Sequence, residues 1–166
     1  MWEFTADVEI DCDRDDLWDL FLDVEDWWPK SNPDHVDLTV LDESDRIGPG
    51  TRLEIREYVA GLYGEGTGRI TKLEEKQRAV WESDEFTYRF YGIPLPVDEG
   101  VEWRISELQE GVVLSAHVWA KFPANIFGSV AEFVAKRLMN GLQKDYDHAM
   151  TELQYLKQRI ETDEPA

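Results

Sequence analysis

The chain is poor in cysteine, in basic side chains and in long apolar runs. Its one cysteine, Cys12, can form no intrachain disulfide and has no sequence neighbour with which to build a structural zinc site. No apolar run approaches the ~18 residues of a membrane span, so we expect no stable membrane insertion and a cytoplasmic location. The 17 Lys and Arg residues against 36 Asp and Glu leave a net charge of -19. Nucleic acid and anionic lipid surfaces are therefore unsuitable partners.

The acidic residues are spread along the chain and do not form one block. An even acidic shell is typical of halophilic proteins, in which salt screens the self-repulsion, and an ordinary acidic protein is the alternative. With 166 residues, 42% of them apolar and 12% aromatic, the chain is long enough for one folded domain with a sizeable core.

Hydrophobic periodicity predicts the order of the elements. Residues 4–10 alternate apolar and polar as a strand does, and apolar residues at helical spacing predict a short helix over about 14–24, with Pro29 ending any continuation. Period-two segments separated by turn clusters then predict six strands, at about 36–43, 51–60, 65–73, 78–91, 101–108 and 112–122. After Pro123, helical spacing predicts one long helix up to about residue 161.

Several short motifs accompany this order: Val8-Glu-Ile10, Leu17-Trp18, Asp23-Val-Glu-Asp-Trp27, Trp28-Pro29, Gly50-Thr-Arg, Gly68-Arg-Ile and Arg78-Ala-Val-Trp81. With them the chain resembles the START-like (SRPBCC) superfamily, and within it the polyketide cyclase/dehydrase and lipid transport group, relatives of the birch pollen allergen fold. The resemblance covers roughly residues 3 to 160. It implies a helix-grip fold with a large apolar cavity between sheet and C-terminal helix. Its motifs mark turns and core positions and name no catalytic residue.

We therefore expect an α+β fold in which a curved antiparallel sheet of about seven strands surrounds a long C-terminal helix, with one or two short helices after the first strand. Residues 1–161 are predicted to form this single domain, and residues 162–166 an acidic tail. We expect a monomer or a weak homodimer that needs no cofactor.

A cavity in such a fold would be lined by the inward phase of each strand and one face of the helix. Pairing the strands so that apolar meets apolar turns Val101, Trp103 and Ile105 inward, although a one-residue slip would reverse them. Gly66 and Gly68 share a phase and are expected to leave room, as is Gly141 on the helix. The predicted ligand-binding residues are Trp28, Ile55, Glu57, Val59, Gly68, Ile70, Trp81, Tyr88, Phe90, Trp103, Ala116, Val118, Val134, Leu138, Gly141 and Leu142. Ordinary core packing is the alternative for the apolar members.

Glu57 and Tyr88 are the candidate catalytic residues. Glu57 falls among inward-facing neighbours and would anchor a ligand hydroxyl or act as a general base, unless it lies solvated at a strand end or pairs with Arg69. Tyr88 is placed to polarise a carbonyl oxygen. No histidine pair lies at ligand spacing in the sequence, so we expect no metal site.

Three functions remain open. The leading hypothesis is a binding or carrier protein for a small hydrophobic molecule, such as a lipid, an isoprenoid quinone or a polyketide-like compound. The second is a polyketide cyclase or dehydrase acting on a related ligand. The third is a protein-interaction module, for which Trp119 on the outer face of its strand would mark the surface.

Overall fold

The computed structural model describes residues 2–44 and 46–162, and this part of the chain forms eight strands and four helices. The strands are β1 (Trp2–Ile10), β2 (His35–Val40), β3 (Arg52–Val59), β4 (Leu62–Glu74), β5 (Arg78–Phe90), β6 (Ile93–Pro96), β7 (Asp98–Glu107) and β8 (Val112–Lys121). The helices are α1 (Arg14–Leu22), α2 (Val24–Ser31), α3 (Ile126–Arg137) and α4 (Gly141–Glu161). None of these helices combines the length and the apolar character needed to cross a membrane.

The strands form one antiparallel sheet in the order β1-β8-β7-β5-β4-β3-β2, with the short β6 paired to the end of β5. The predicted register of the last two strands is confirmed, because Val101 pairs with Val118 and Trp103 with Ala116. Helix α4 crosses the inner face and contacts β1, β8 and β3. This arrangement confirms the predicted α+β helix-grip fold.

The long C-terminal segment is two helices, where the sequence pattern predicts one. The N–H groups of Leu138 and Met139 both donate to the carbonyl of Val134, and Asn140 adopts a left-handed conformation with φ of 52°. The apolar spacing continues across this break, which explains why periodicity alone does not reveal it. One consequence is that Leu138 lies outside both helices and is 73% exposed.

The other differences between the predicted and the observed elements concern the ends of helices and one short strand. Pro29 lies inside α2, which ends at Ser31. β6 occupies a segment that its prolines assign to a turn, and it pairs only with the end of β5. Thr162 caps α4 through an N–H bond to the carbonyl of Gln158. The predicted tail beyond it, 163–166, lies outside the described residues, so the predicted domain limits stay a prediction.

The core fills the space between α1, α2, α4 and the sheet. Trp27 is fully buried, and its indole Nε1 donates to the carbonyl of Phe21 at 2.9 Å. The ring of Phe21 in turn meets Trp103 of β7 edge-on. Burial of these aromatic side chains fixes the short helices over one end of the sheet, where they help to enclose the site described next.

Candidate functional site

A cavity of about 100 Å³ lies between the inner face of the sheet and α4. Most of its lining is aliphatic and aromatic, and the polar lining residues are Glu57, Tyr88, Glu99, Asp145, His148 and Glu152. A second cavity of about 40 Å³ adjoins it toward α3, and five residues line both: Val59, Tyr88, Glu99, Ala120 and Asp145. The interior therefore combines an apolar wall with several carboxyl groups.

Two histidines and two glutamates, which we call the His/Glu cluster, meet at one side of the larger cavity. His35 is the first residue of β2 and pairs across the sheet with Glu57 of β3. His148 and Glu152 lie one turn apart on α4, on the face that packs on the sheet. The side chain of His35 is fully buried, and those of Glu57 and Glu152 are each 13% exposed.

The ring nitrogens and carboxylate oxygens of the cluster are in direct contact. His35 Nε2 lies 3.0 Å from His148 Nε2 and 3.0 Å from Glu152 Oε1. His148 Nε2 lies 3.2 Å from Glu152 Oε1 and 3.3 Å from Glu57 Oε2. The distance from His35 Nε2 to Glu57 Oε2 is 3.8 Å. Four polar atoms thus face one another across a small volume.

The orientation of His35 is fixed by Trp28. The two rings stack with centroids 3.4 Å apart and an interplanar angle of 6°. His35 Nδ1 lies 2.6 Å from the carbonyl oxygen of Trp28. Because a carbonyl only accepts, Nδ1 must carry a proton and donate it. The Nε2 atom is thereby directed at the other members of the cluster.

The carboxylates and histidines of the cluster perturb one another strongly. Burial alone would lower the pKa of His148, but hydrogen bonds to Glu152 and Glu57 outweigh it and raise the pKa to about 11. Burial alone would raise the pKa of Glu152, but hydrogen bonds from His148 and His35 lower it to about 2. The charges of this buried site are therefore held by mutual pairing.

Two further carboxyl groups, those of Glu99 and Asp145, face the cavity, and neither forms an ion pair within the described part of the chain. Burial, and then repulsion from Glu57, raises the pKa of Glu99 well above its usual value, although a hydrogen bond of 2.9 Å from the Tyr88 hydroxyl opposes this. Burial and the neighbouring Glu99 likewise raise the pKa of Tyr88. Burial raises the pKa of Asp145 to about 6, against a hydrogen bond of 2.6 Å from Trp2 Nε1.

One donor in the cavity wall is unsatisfied. Trp81 lines the cavity, and its indole Nε1 is buried with no hydrogen-bond partner in the described part of the chain. Leaving such a donor unpaired costs about 1–3 kcal/mol, so native proteins usually supply water, an ion or a ligand.

Some of the predicted ligand-binding residues line one of the two cavities, and others line neither. Those that line the larger cavity are Trp28, Ile55, Glu57, Val59, Trp81, Tyr88, Trp103, Ala116 and Val118. Gly141 lines the smaller one. Those that line neither are Gly68, Ile70, Phe90, Val134, Leu138 and Leu142. Ile70 and Phe90 are core residues instead, and Leu138 lies at the helix break.

The prediction that glycines open the cavity is wrong. A Cβ at Gly68 would lie 2.5 Å from the ring of Trp81, and one at Gly141 would lie 2.6 Å from the ring of Trp2. Gly64 and Gly66 are covered in the same way, by Tyr88 and Phe86. These glycines let neighbouring aromatic rings lie on the backbone, so they permit close packing and leave no free space.

Glu57 faces the cavity, and Arg69 pairs with Asp84 instead. His35 and His148, which show no ligand spacing in the sequence, are in contact in the fold. They are 113 positions apart, and only the fold joins them. The i,i+4 spacing of His148 and Glu152 on an otherwise apolar helix face is the one signal visible in the sequence. Glu99 and Asp145 carry no comparable signal.

Comparisons with known proteins identify the fold. No family model and no curated protein matches the sequence. A Thermus thermophilus protein of known structure matches with a TM-score of 0.72 and 17% identity, over 98% of this chain and 99% of that one. A START superfamily protein from Mycobacterium smegmatis matches with a TM-score of 0.60 and 14% identity, over 98% of this chain and 99% of that one. The Zhui aromatase/cyclase from a Streptomyces species matches with a TM-score of 0.67 and 16% identity, over 99% of this chain and 98% of that one. The chain therefore has the START-like fold that its sequence motifs predict.

Proposed function

We propose that the protein binds a small, mainly apolar molecule bearing a hydroxyl group in the cavity between the sheet and α4. The observation that carries the proposal is the lining of this cavity, in which several carboxyl groups lie among aromatic and aliphatic side chains, including Trp81 with its unpaired indole N–H. Binding sites are typically apolar pockets with a few convergent polar groups. The START-like fold of the Zhui aromatase/cyclase and of a START superfamily protein supports the same function.

The volume of the cavity limits the size of the ligand. An engineered apolar cavity of about 150 Å³ is sufficient to bind benzene. The two adjoining cavities, of about 100 and 40 Å³, are on this scale. The ligand that fits without rearrangement is therefore a single ring or a short branched chain, and a full lipid would require the walls to move.

The polar groups define how a hydroxyl would be recognised. Its oxygen can accept from Trp81 Nε1, which lacks a partner in the described chain. Its hydrogen can be donated to a carboxylate in the wall, such as Glu57. Both bonds replace water contacts that the ligand loses on entry, so they favour phenols and alcohols over hydrocarbons of the same size.

The test uses p-cresol and toluene, which share a ring and a methyl group and differ in the hydroxyl. Binding is followed by isothermal titration calorimetry and by NMR shifts of the protein in buffer containing EDTA. We expect saturable binding of both, with p-cresol tighter. Trp81→Phe keeps an aromatic ring and removes the N–H. The void left by the smaller ring acts on both probes, so the variant should weaken binding of p-cresol relative to toluene about fivefold, the equivalent of one neutral hydrogen bond.

A matched pair of variants on β8 tests the location. Ala116 is buried and lines the cavity, whereas Val113 lies in the opposite phase of the strand. Ala116→Phe should fill the cavity and abolish binding of both probes, and Val113→Phe should leave it intact. Unfolding curves establish that each variant is folded. Binding that persists in folded Ala116→Phe, or no saturable binding by the wild type, would contradict the proposal.

The Tyr88–Glu99 pair supports a second candidate function, a cyclase or dehydrase. Burial raises the pKa of the Glu99 carboxyl, which favours its protonated form, and in that form it can donate a proton to a ketone oxygen while a cavity carboxylate removes a proton from an adjacent carbon. The test is product analysis of a linear tri-β-keto thioester with the wild type and Glu99→Gln. The small cavity favours the binding function, so we expect no turnover of this probe. Wild-type turnover that Glu99→Gln abolishes would favour the enzyme.

A further inference from the structure

Four potential metal ligands converge in the cavity wall. One atom each from His35, Glu57 and His148 lies within 4.8 Å of the other two. Glu152 Oε1 joins them, at 3.0 and 3.2 Å from the two histidine Nε2 atoms. The four residues come from two adjacent strands and one helix, so rigid elements hold the arrangement.

The distances within this group match a tetrahedral site. Zinc binds histidine nitrogen and carboxylate oxygen at about 2.0–2.2 Å, so the edges of its coordination tetrahedron measure about 3.3–3.6 Å. Five of the six distances among these atoms, all those that involve a histidine nitrogen, are 3.0, 3.0, 3.2, 3.3 and 3.8 Å. An ion at the centre of the group would need ligand movements of a few tenths of an ångström.

The surroundings of His35 are those of a metal-binding imidazole. Its Nδ1–H donates to the Trp28 carbonyl at 2.6 Å, so a metal ion that displaces the proton from Nε2 would find the Nε2 lone pair directed into the cluster. Metal-ligating histidines almost always donate their second ring N–H in this way, which fixes the tautomer and the ring orientation. Stacking on the Trp28 ring restrains the plane of the imidazole further.

Charge and hydrogen bonding also favour a cation. The described ion pairs of Glu57 and Glu152 involve only His35 and His148, and no Lys or Arg meets them. Protons on the histidines cannot satisfy every contact, because two Nε2 atoms 3.0 Å apart cannot both direct an N–H at the other. A divalent cation with two neutral histidines and two carboxylates gives a neutral site in which all four atoms act as donors of electron pairs.

We propose that His35, Glu57, His148 and Glu152 bind a divalent transition-metal ion, with Zn²⁺ fitting the ligand set and its geometry. Imidazole and carboxylate ligands in a tetrahedral arrangement select zinc over the octahedral magnesium and calcium ions. The ion would lie in the wall of the ligand cavity, where Glu57, His148 and Glu152 also face the interior. The inference rests on the cluster itself and not on the proposed ligand.

His148 brings the cluster close to the protein surface. This residue also lines a surface groove of about 300 Å³ between α4 and the turn after β3, together with Asn32, Lys144 and Thr151. Asn32 is tied to α4 by a bond from its side-chain amide to the carbonyl of His148. Because His148 borders both the groove and the cluster, the groove is the side from which we expect an ion to enter.

The test begins with protein dialysed against EDTA and then freed of chelator. Zn²⁺ is added in a calorimetric titration, and Co²⁺ is added separately as a spectroscopic probe. We expect one equivalent of tight Zn²⁺ binding per chain, visible absorption typical of tetrahedral Co²⁺ that Zn²⁺ abolishes, and a higher thermal midpoint with Zn²⁺. Excess Mg²⁺ should compete with neither ion.

The variants Glu152→Gln and His35→Gln each remove one ligand with little change of size. Each should lower the affinity for Zn²⁺ by more than the ~10- to 100-fold that loss of an outer-shell partner typically causes. His117→Gln is the matched control, because His117 is partly exposed and pairs with Glu3 on the sheet surface. It should leave Zn²⁺ affinity and the Co²⁺ spectrum unchanged. Unfolding curves in EDTA establish whether each variant is folded. If His35→Gln does not fold, Glu152→Gln alone is sufficient to test the metal site.

Two results would overturn the proposal. One is a wild type that binds less than one equivalent of Zn²⁺ or gives only an octahedral Co²⁺ spectrum. The other is equal Zn²⁺ affinity in Glu152→Gln and the wild type, which would assign binding to the acidic surface. Binding of p-cresol in EDTA is measured separately, so failure of the metal site and failure of the ligand cavity are distinguishable.

Discussion

Replacing Asp145 by Asn should stabilise the protein at alkaline pH. Asp145 is buried on α4, accepts a hydrogen bond from Trp2 Nε1 and has its pKa raised from 3.8 to about 6. A raised pKa means that the folded protein binds this proton more tightly than the unfolded chain does. The resulting stability is fully present below pH 3.8 and is lost as pH rises to about 6. Above that, the ionised carboxylate is the form that folding must bury.

The size of the effect follows from the shift. Two pKa units correspond to about 3 kcal/mol. Asn is neutral at every pH, and its Oδ1 can still accept from Trp2 Nε1. Asp145→Asn should therefore raise the free energy of unfolding by up to about 3 kcal/mol at pH 8, and by only about 1 kcal/mol at pH 4.5, where the wild-type carboxyl is largely protonated in the folded state.

The assay is urea unfolding of EDTA-treated wild type and variant at both pH values. The groups that act on Asp145, namely His148, Glu57 and Glu152, are the same in both proteins, so the difference isolates this carboxyl. Asp147→Asn is the control, because Asp147 is exposed on the same helix and its replacement changes the net charge equally. A stabilisation that is equal at pH 8 and pH 4.5, or equal in the control, would refute the reasoning.

Three further predictions concern the surface, the sheet and the thiol. If the acidic shell is a halophilic adaptation, the thermal midpoint should fall steeply as KCl is lowered from molar concentration, and an unchanged midpoint would contradict it. Gly66→Ala should lower the free energy of unfolding in urea by at least about 1–3 kcal/mol, because its Cβ would overlap the Glu85 carbonyl, whereas Gly48→Ala should not. Burial and then nearby acids raise the pKa of Cys12 to about 11, so alkylation by iodoacetamide at pH 8 should be about 100-fold slower than in urea, and equal rates would refute this.

The sequence predicts the sheet well because alternation and pairing constrain each other. In β8 only one phase is uniformly apolar, and matching it to β7 fixes the register that places Trp103 opposite Ala116. The break at Asn140 escapes prediction because it depends on one left-handed residue within a continuing apolar period. β6 is not predicted either, because a four-residue strand containing two prolines resembles a turn.

Some residues of the candidate site can be predicted from the sequence and others cannot. Glu57 is predictable because it interrupts an apolar phase of β3, and its neighbours Ile55 and Val59 line the cavity with it. His35 and His148 are not, because their contact depends on how α4 crosses the sheet relative to the start of β2. The raised pKa of Asp145 is likewise a property of its tertiary surroundings, since burial is its largest cause.

The glycines of β4 that lie beneath aromatic rings constrain how this protein can change. The ring of Trp81 occupies the place of a Gly68 side chain, and Tyr88 does the same at Gly64. Enlarging either glycine alone forces a collision, and shrinking either ring alone leaves a void. The two members of each pair are therefore energetically coupled, and their effects in a double-mutant cycle should be far from additive. Because Trp81 and Tyr88 also form the cavity wall, a change of ring size at either position should be tolerated best together with a matching change at its glycine on β4.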